Sequence, residues 1–263
     1  MQVLTLLNEK GGVGKTSLSV HIAAGLAIRG SRVLLVDADA QGHSTLHLGL
    51  PESGGLYRML AQDAEFKDVL AAPKDAVWAG EYTPEGSLYV LPSNVETRAI
   101  PMVVSDVTLL RERLSELAEH VDVVVIDTSP TPSLLHSMIY LASDYMIHPS
   151  QCESLSLDGL KKSMLHMAQL KETRKAFGLQ NASLMGVQPT MFDTRTNAHH
   201  FALGLIQEHF GDRLAWEALP MRTIWRDTTW ERKTLFAVAP EHQATDEVWG
   251  MVGRVQEGLQ NAA

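Results

Sequence analysis

Near its start the chain carries Asn8-Glu9-Lys10-Gly11-Gly12-Val13-Gly14-Lys15-Thr16-Ser17, a stretch that tolerates very few surroundings. It follows Val3-Leu4-Thr5-Leu6-Leu7, an apolar run that predicts a buried strand, and it precedes a helical pattern from about Thr16 to Arg29. Strand, glycine-rich loop and helix, in that order, are the setting of a phosphate-binding loop. Glycine has no Cβ, so consecutive N–H groups can turn inward and converge on one anion. The positive end of the following helix adds to that field. In such a loop Gly11, Gly12, Val13, Gly14 and Ser17 enclose the phosphates and Lys15 reaches the β and γ oxygens. The Thr16 hydroxyl is then placed to ligate Mg²⁺.

Two further apolar runs end in aspartate. Arg32-Val33-Leu34-Leu35-Val36 leads into Asp37-Ala38-Asp39-Ala40-Gln41-Gly42, and Val123-Val124-Val125-Ile126 leads into Asp127. β-branched runs without polar alternation predict strands of a parallel sheet buried on both faces. Ligands of such sheets sit beyond the carboxyl ends of the strands. All three aspartates therefore fall on the edge that carries the glycine loop. Asp127 reads as a magnesium carboxylate, while Asp37 or Asp39 could instead cap a following turn. Shorter strands are expected at Leu88–Pro92 and Tyr145–Pro149. Leu56–Leu60 and Glu65–Leu70 read as short helices, and residues 71–87 as a surface loop. Ser105 or Asp106 is placed to cap a helix through His120, and a last helix runs from about Glu241 to Leu259. Its Val248, Trp249, Val252, Val255 and Leu259 share a face expected to dock on the sheet.

The fold class expected is a single α/β domain over residues 1–263, with a doubly wound, mostly parallel sheet flanked by helices. Several function classes drop out on composition. No apolar run approaches the length of a membrane span, and no leader segment is expected ahead of the first strand. A single cysteine, Cys152, excludes a disulfide framework and leaves a cytoplasmic setting as the expectation. It reads as a buried small residue rather than a nucleophile. The net charge of −9 counts against nucleic acid overall, but screening confines each charge to roughly 8 Å at physiological salt, so a basic patch can still act. The helix predicted to end near Phe177 supplies one: Lys171, Arg174 and Lys175 share a face by their spacing.

The loop departs from the ordinary pattern in having Glu9 where the first glycine belongs and a second lysine, Lys10, before the glycine pair. In this it closely resembles the deviant phosphate loop of the ParA/MinD group of ATPases. Asp37–Gln41 resembles the group's D-x-D-P-Q, with Ala40 in place of proline. The run from Gln151-Cys152-Glu153 to Leu157-Asp158-Gly159-Leu160 resembles the ParA form, as does Phe192-Asp193-Thr194-Arg195-Thr196-Asn197. The resemblance spans Val3 to about Leu259, without the amino-terminal DNA-reading extension of longer members.

That resemblance implies ATP and Mg²⁺ as ligands and an ATP-dependent homodimer in which Lys10 reaches the partner's nucleotide. Asp37 would help hold the Mg²⁺ water shell, and Asp39 would align or deprotonate the attacking water. The loop after Asp127 would sense the γ-phosphate. Glu153 is either a contact near the partner's nucleotide or a plain helix-start acid. Adenine would sit near Pro220 and Met221, although the family's I-P-R-N-V-R is here Leu219-Pro220-Met221-Arg222-Thr223-Ile224. Arg195 would contact DNA without sequence preference, together with Lys171, Arg174 and Lys175, and Arg222 and Arg226 would stand in for the displaced arginines. A ParB-like protein would stimulate hydrolysis on the nucleoid. Two rivals remain open: a MinD-like or cargo-positioning ATPase, and an ATP-dependent ligase of the dethiobiotin-synthetase type. The last helix has one basic residue, Arg254, which disfavours a membrane-binding tail.

Overall fold

In the computed structural model, six strands form one all-parallel sheet: β1 (Gln2–Leu6), β2 (Arg32–Ala38), β3 (Ser87–Leu91), β4 (Val123–Thr128), β5 (Tyr145–Gln151) and β6 (Ser183–Thr190). Their order is β3-β2-β4-β1-β5-β6. The structure describes residues 1–261, and for residues 154–157 the backbone alone, so Leu157 of the ParA-like run lies outside the described side chains. The connecting helices are α1 (Lys15–Ile28), α2 (His43–His47), α3 (Gly55–Ala61), α4 (Asp75–Trp78), α5 (Ile100–Val103) and α6 (Leu109–Ser115). After β4 come α7 (Leu134–Ala142), α8 (Ser154–Ala176), α9 (Asn197–Leu214), α10 (Ile224–Glu231), α11 (Leu235–Val238) and α12 (Gln243–Gln260).

Period-two alternation sends neighbouring strand residues to opposite faces. Leu4, Leu6, Val33, Leu35, Val123 and Val125 face one core with α1 and α12, while Val3, Leu34, Val36, Val124 and Ile126 face the other with α3, α6 and α7. Both faces are covered, which is why the strands read as unbroken apolar runs. From β1 the chain first builds outward to β2 and β3, then returns through β4 and crosses to β5 and β6. The crevice left where that order reverses is the ligand position of open parallel sheets, and the glycine loop leaves β1 there.

Three local expectations change. The stretch after Asp106 is helical only over Leu109–Ser115, with turns to His120. Asp106 does organise its start, accepting the backbone N–H and the hydroxyl of Thr108. Residues 71–87 are not merely surface loop: they contain α4, whose Trp78 is buried in the core, and Ala71 pairs with Val90. Helix α12 docks beside α1 rather than on the sheet alone. Gly25 permits the approach, since a Cβ there would lie 2.6 Å from a Val252 methyl. Trp249 is only half-buried and stacks under the Arg29 guanidinium, 4.7 Å from its ring centre.

Candidate nucleotide site

At the carboxyl edge of the sheet lies a cavity of about 850 Å³. Gly11, Gly12, Gly14, Lys15, Thr16 and Ser17 form one wall, Asp39 and Gln41 a second, and Thr128–Thr131 a third. Gly12 and Gly14 have φ of 75° and 93°, a region open to glycine but costly for other residues. Val13 points its side chain into the core. The loop thus presents backbone rather than side chains to the cavity.

The two lysines take different places. Lys15 is 6 % exposed, and its ammonium donates to the carbonyls of Asn8 (2.9 Å) and Lys10 (3.1 Å). Burial lowers its pKa, opposed by the charges of Asp127 and Asp39. Lys10 instead lies at the rim, where its ammonium donates to Gln151 (3.0 Å) and pairs with Glu153 (3.1 Å) of the same chain.

The carboxylates follow the same division. Asp37 and Asp127 are fully buried register partners on β2 and β4. Burial, with the Asp127 charge second, pushes Asp37 up to about 7, against hydrogen bonds from the Thr45 N–H, the Thr45 hydroxyl and the Asp39 N–H. Burial also raises Asp127, against hydroxyl donors Ser44 and Thr16. Two raised carboxyls beside the Thr16 hydroxyl are a hard-oxygen set short of positive charge, which fits Mg²⁺. Among the described residues no cluster of three or more His, Cys, Asp or Glu forms an all-protein cage. A partial donor set completed by substrate phosphates is the usual magnesium arrangement. Asp39 lies at the cavity wall, and its Oδ1 accepts the Gln41 N–H.

A second pocket of about 370 Å³ adjoins the loop at Gly14 and Ser17 and is walled by Thr190, Pro220, Met221, Trp225 and Arg226. Its apolar walls and position suit a base attached to phosphates in the larger cavity. Pro220 and Met221 thus line a pocket next to the glycine loop. Cys152 is buried, and burial raises its thiol to about 11, which disfavours the thiolate.

The expected DNA residues separate. Lys171, Lys175 and Arg195 are exposed. Arg174 is not on their surface: it is 3 % exposed, and its guanidinium donates to the carbonyls of Tyr140, Leu141 and Gln180. A guanidinium buried in this way and turned onto main-chain carbonyls does not present its charge on the helix surface. Arg222 is committed to an ion pair with Glu247 of α12. Arg226 borders the smaller pocket. The sequence reading missed Ser44 and Thr45 of α2, which hold the paired aspartates, and Thr190, the last residue of β6; their only signal was a hydroxyl side chain at the carboxyl edge of the sheet.

Loop, paired carboxylates and parallel sheet together define a phosphate-loop nucleotide-binding protein. Residues 1–180 match the family model described as "AAA domain". The chain is 32% identical over 229 residues to the sporulation initiation inhibitor protein Soj of Bacillus subtilis, covering 83% of this chain and 84% of Soj. It is 32% identical over 237 residues to the chromosome-partitioning ATPase Soj of Thermus thermophilus, covering 90% and 88%. Among solved structures it resembles cobyrinic acid a,c-diamide synthase from Mycobacterium smegmatis with bound ATP analog and magnesium. That likeness has a TM-score of 0.69 and 28% identity over 80% of each chain. The chain belongs to the Soj/ParA family of partitioning ATPases.

Proposed function

We propose that this protein is a DNA-partitioning ATPase whose ATP-bound state is a two-fold sandwich dimer. The observation that carries this reading is the separation of its two loop lysines. Lys15 sits inside the cradle, whereas Lys10 projects to the rim beside Glu153. A monomeric phosphate grip is complete with Lys15 and the loop amides, so a rim lysine has its use in the nucleotide of a second subunit. The 32% identity to proteins named Soj supports the same reading over the synthase name of the solved neighbour.

In this mechanism the loop amides and Lys15 hold the β- and γ-phosphates, and Lys10 adds positive charge from the partner. Asp39 aligns the attacking water and accepts its proton. Thr16 and Asp127 would hold Mg²⁺, with Asp37 behind them; when bound it offsets charge on the phosphate oxygens. The base occupies the pocket at Pro220 and Met221. Phosphoryl transfer needs positioning and charge more than covalent help. Residues 128–131, which line the cavity, would respond to loss of the γ-phosphate.

The dimer would bind nucleoid DNA without sequence preference through Lys171, Lys175 and Arg195, and a ParB-like protein would stimulate hydrolysis and release it. Against the membrane version of the rival reading, the apolar face of α12 is buried on α1, and among the described residues no helix is long and apolar enough to cross a membrane. Light scattering with a non-hydrolysable ATP analogue, beside a DNA gel shift, tests the proposal. Dimerisation and DNA binding should both require ATP and not ADP; a monomer under every nucleotide would overturn it.

A further inference from the structure

An anion-binding loop must turn its carbonyl oxygens away from the anion, because each is a partial negative charge as strong as the N–H beside it is positive. In this chain five of the loop carbonyls have identifiable holders. Lys15 takes those of Asn8 and Lys10, and the Leu18 N–H takes that of Gly14 as the first turn of α1. The two at the crest are held by side chains from elsewhere. Gln151 Nε2 donates to the Gly12 carbonyl at 3.0 Å, and Thr190 Oγ1 donates to the Val13 carbonyl at 2.9 Å. Gln151 and Thr190 are register partners at the carboxyl ends of β5 and β6, so one level of the sheet supplies both donors.

A trans peptide points its C=O and its following N–H in opposite directions. Holding the Gly12 oxygen outward therefore directs the Val13 N–H to the other side, and holding the Val13 oxygen does the same for the Gly14 N–H. Gly11, Gly12 and Gly14 border the phosphate cavity, whereas Gln151 and Thr190 do not. The glycines that let the loop form also let these peptide planes rotate, so an external restraint has something to restrain. Gln151 carries a second duty, since its Oε1 accepts from the Lys10 ammonium.

The geometry points to Gln151 and Thr190 as positioning residues of the phosphate loop, preorganising the Val13 and Gly14 amides before any phosphate arrives. This rests on the phosphate-loop reading and adds to it two residues more than a hundred positions downstream of the loop. Preorganised donors bind without the cost of ordering them on arrival.

The test compares Thr190→Val with Thr190→Ser, and Gln151→Leu with Gln151→Glu, using a fluorescent ADP and inorganic pyrophosphate as its competitor. Thr190→Val is nearly isosteric but has no donor, and loss of one hydrogen bond should weaken ADP by about threefold to tenfold. Thr190→Ser, which keeps the hydroxyl, should stay within about twofold of the parent by the same scale. Gln151→Leu should weaken ADP through loss of the amide donor, and Gln151→Glu, which keeps an acceptor for Lys10 but sets a carboxylate against the Gly12 carbonyl, should weaken it at least as much. Pyrophosphate should lose the same factor, and Gln151→Leu, which removes an exposed bond to the loop, should keep a melting temperature near that of the parent. Parent-like affinity in both Thr190→Val and Gln151→Leu overturns the inference, as does a loss confined to the nucleoside end. Should Thr190→Val fail to fold, the half-exposed Gln151 pair decides. A parent protein that binds no ADP would instead overturn the phosphate-loop reading, and this inference with it.

Discussion

Asp37 and Asp127 stand side by side at the same level of β2 and β4, both fully buried, and consecutive hydroxyls of α2, Thr45 and Ser44, hold one each. Two carboxyls in one desolvated place repel, so the apoprotein holds this pair at a cost that a divalent cation removes. Asp127→Asn should relieve it. The apoprotein should melt a few degrees higher, about 2–4 °C for each kcal/mol gained at this size. The same variant should lose the Mg²⁺ dependence of its ATP affinity. Titration of ATP with and without Mg²⁺, beside a thermal scan, checks both; a variant still sensitive to Mg²⁺ would place the ion elsewhere.

Acid should destabilise the apoprotein through its buried imidazoles. His21 is sandwiched among His47, Trp225 and Phe236; burial, then the neighbouring His47, lowers its pKa to about 3. Its Nδ1 bonds the Ser17 carbonyl and its Nε2 accepts the Leu235 N–H, so a second proton would displace that donor. The folded pKa lies below the unfolded value of 6.5, so the unfolded chain takes the proton first. The stabilisation is complete above about 6.5 and is lost as the pH falls towards 3. Burial lowers His47 and His148 to about 4, and both act in the same direction. Urea midpoints of the parent and His21→Gln should converge between pH 7 and pH 4. Parallel curves would show that His21 does not titrate in this range.

Arg174 and its neighbours should part company on mutation. Lys171→Glu with Lys175→Glu should leave the melting temperature near that of the parent and weaken DNA binding. The parent's affinity should fall steeply with added salt, and the variant's salt slope should be shallower by roughly 0.9 for each phosphate it no longer neutralises. Arg174→Ala should do the opposite, lowering stability by about 1–3 kcal/mol through the carbonyls it abandons. Full DNA binding by the double lysine variant would return that face to solvent.

That division shows where sequence is legible and where it is not. The glycine loop, the aspartates at strand ends and the parallel sheet were readable because each is set by a few adjacent residues and by the reach of one strand. The face formed by Lys171, Arg174 and Lys175 was readable as a face, but helical spacing cannot say how α8 is rotated against its neighbours. The carbonyls left at the end of α7, at Tyr140 and Leu141, decide it by drawing Arg174 inward. Gln151 was visible within a motif and still had no role. Its partner at Gly12 lies 139 residues away, and only the β5 register brings them together. The α12 docking surface was hidden for the same reason, since a glycine in α1 gives no sign of which helix will use the gap.

Chemistry and binding should separate at Asp39. Its carboxylate lines the cavity and accepts the Gln41 N–H, whereas Thr16, Asp37 and Asp127 are the residues assigned to the metal, so Asp39→Ala should remove no donor to it. The variant should bind Mg-ATP and dimerise like the parent but turn over at least about a hundredfold more slowly, the usual scale for losing a general base. DNA complexes formed with ATP should then persist instead of decaying. Single-turnover hydrolysis and a dissociation time course on DNA measure the two halves. Loss of ATP binding in this variant would make Asp39 a metal-site residue instead.

The strongest test of the dimer lies in Lys10. Its ammonium rests on Gln151 and Glu153 of its own chain, with a quarter of the lysine side chain and half of the glutamate side chain still exposed. An ion pair in that setting contributes about 0–1 kcal/mol, so giving up the Glu153 contact costs little. Against the phosphates of a second subunit the same cation would act in a water-poor interface, where its attraction is far larger. The balance therefore favours departure only when a partner brings a triphosphate. Lys10→Ala should keep ATP affinity within roughly tenfold, about 1.4 kcal/mol. It should nevertheless lose ATP-dependent dimerisation, stimulated hydrolysis and DNA binding together, because all three depend on the paired state. Glu153→Gln should behave differently, retaining dimerisation, since it weakens only the resting contact. Light scattering of both variants with a non-hydrolysable analogue settles the matter: a Lys10→Ala protein that dimerises and shifts DNA like the parent would show that the lysine never crosses.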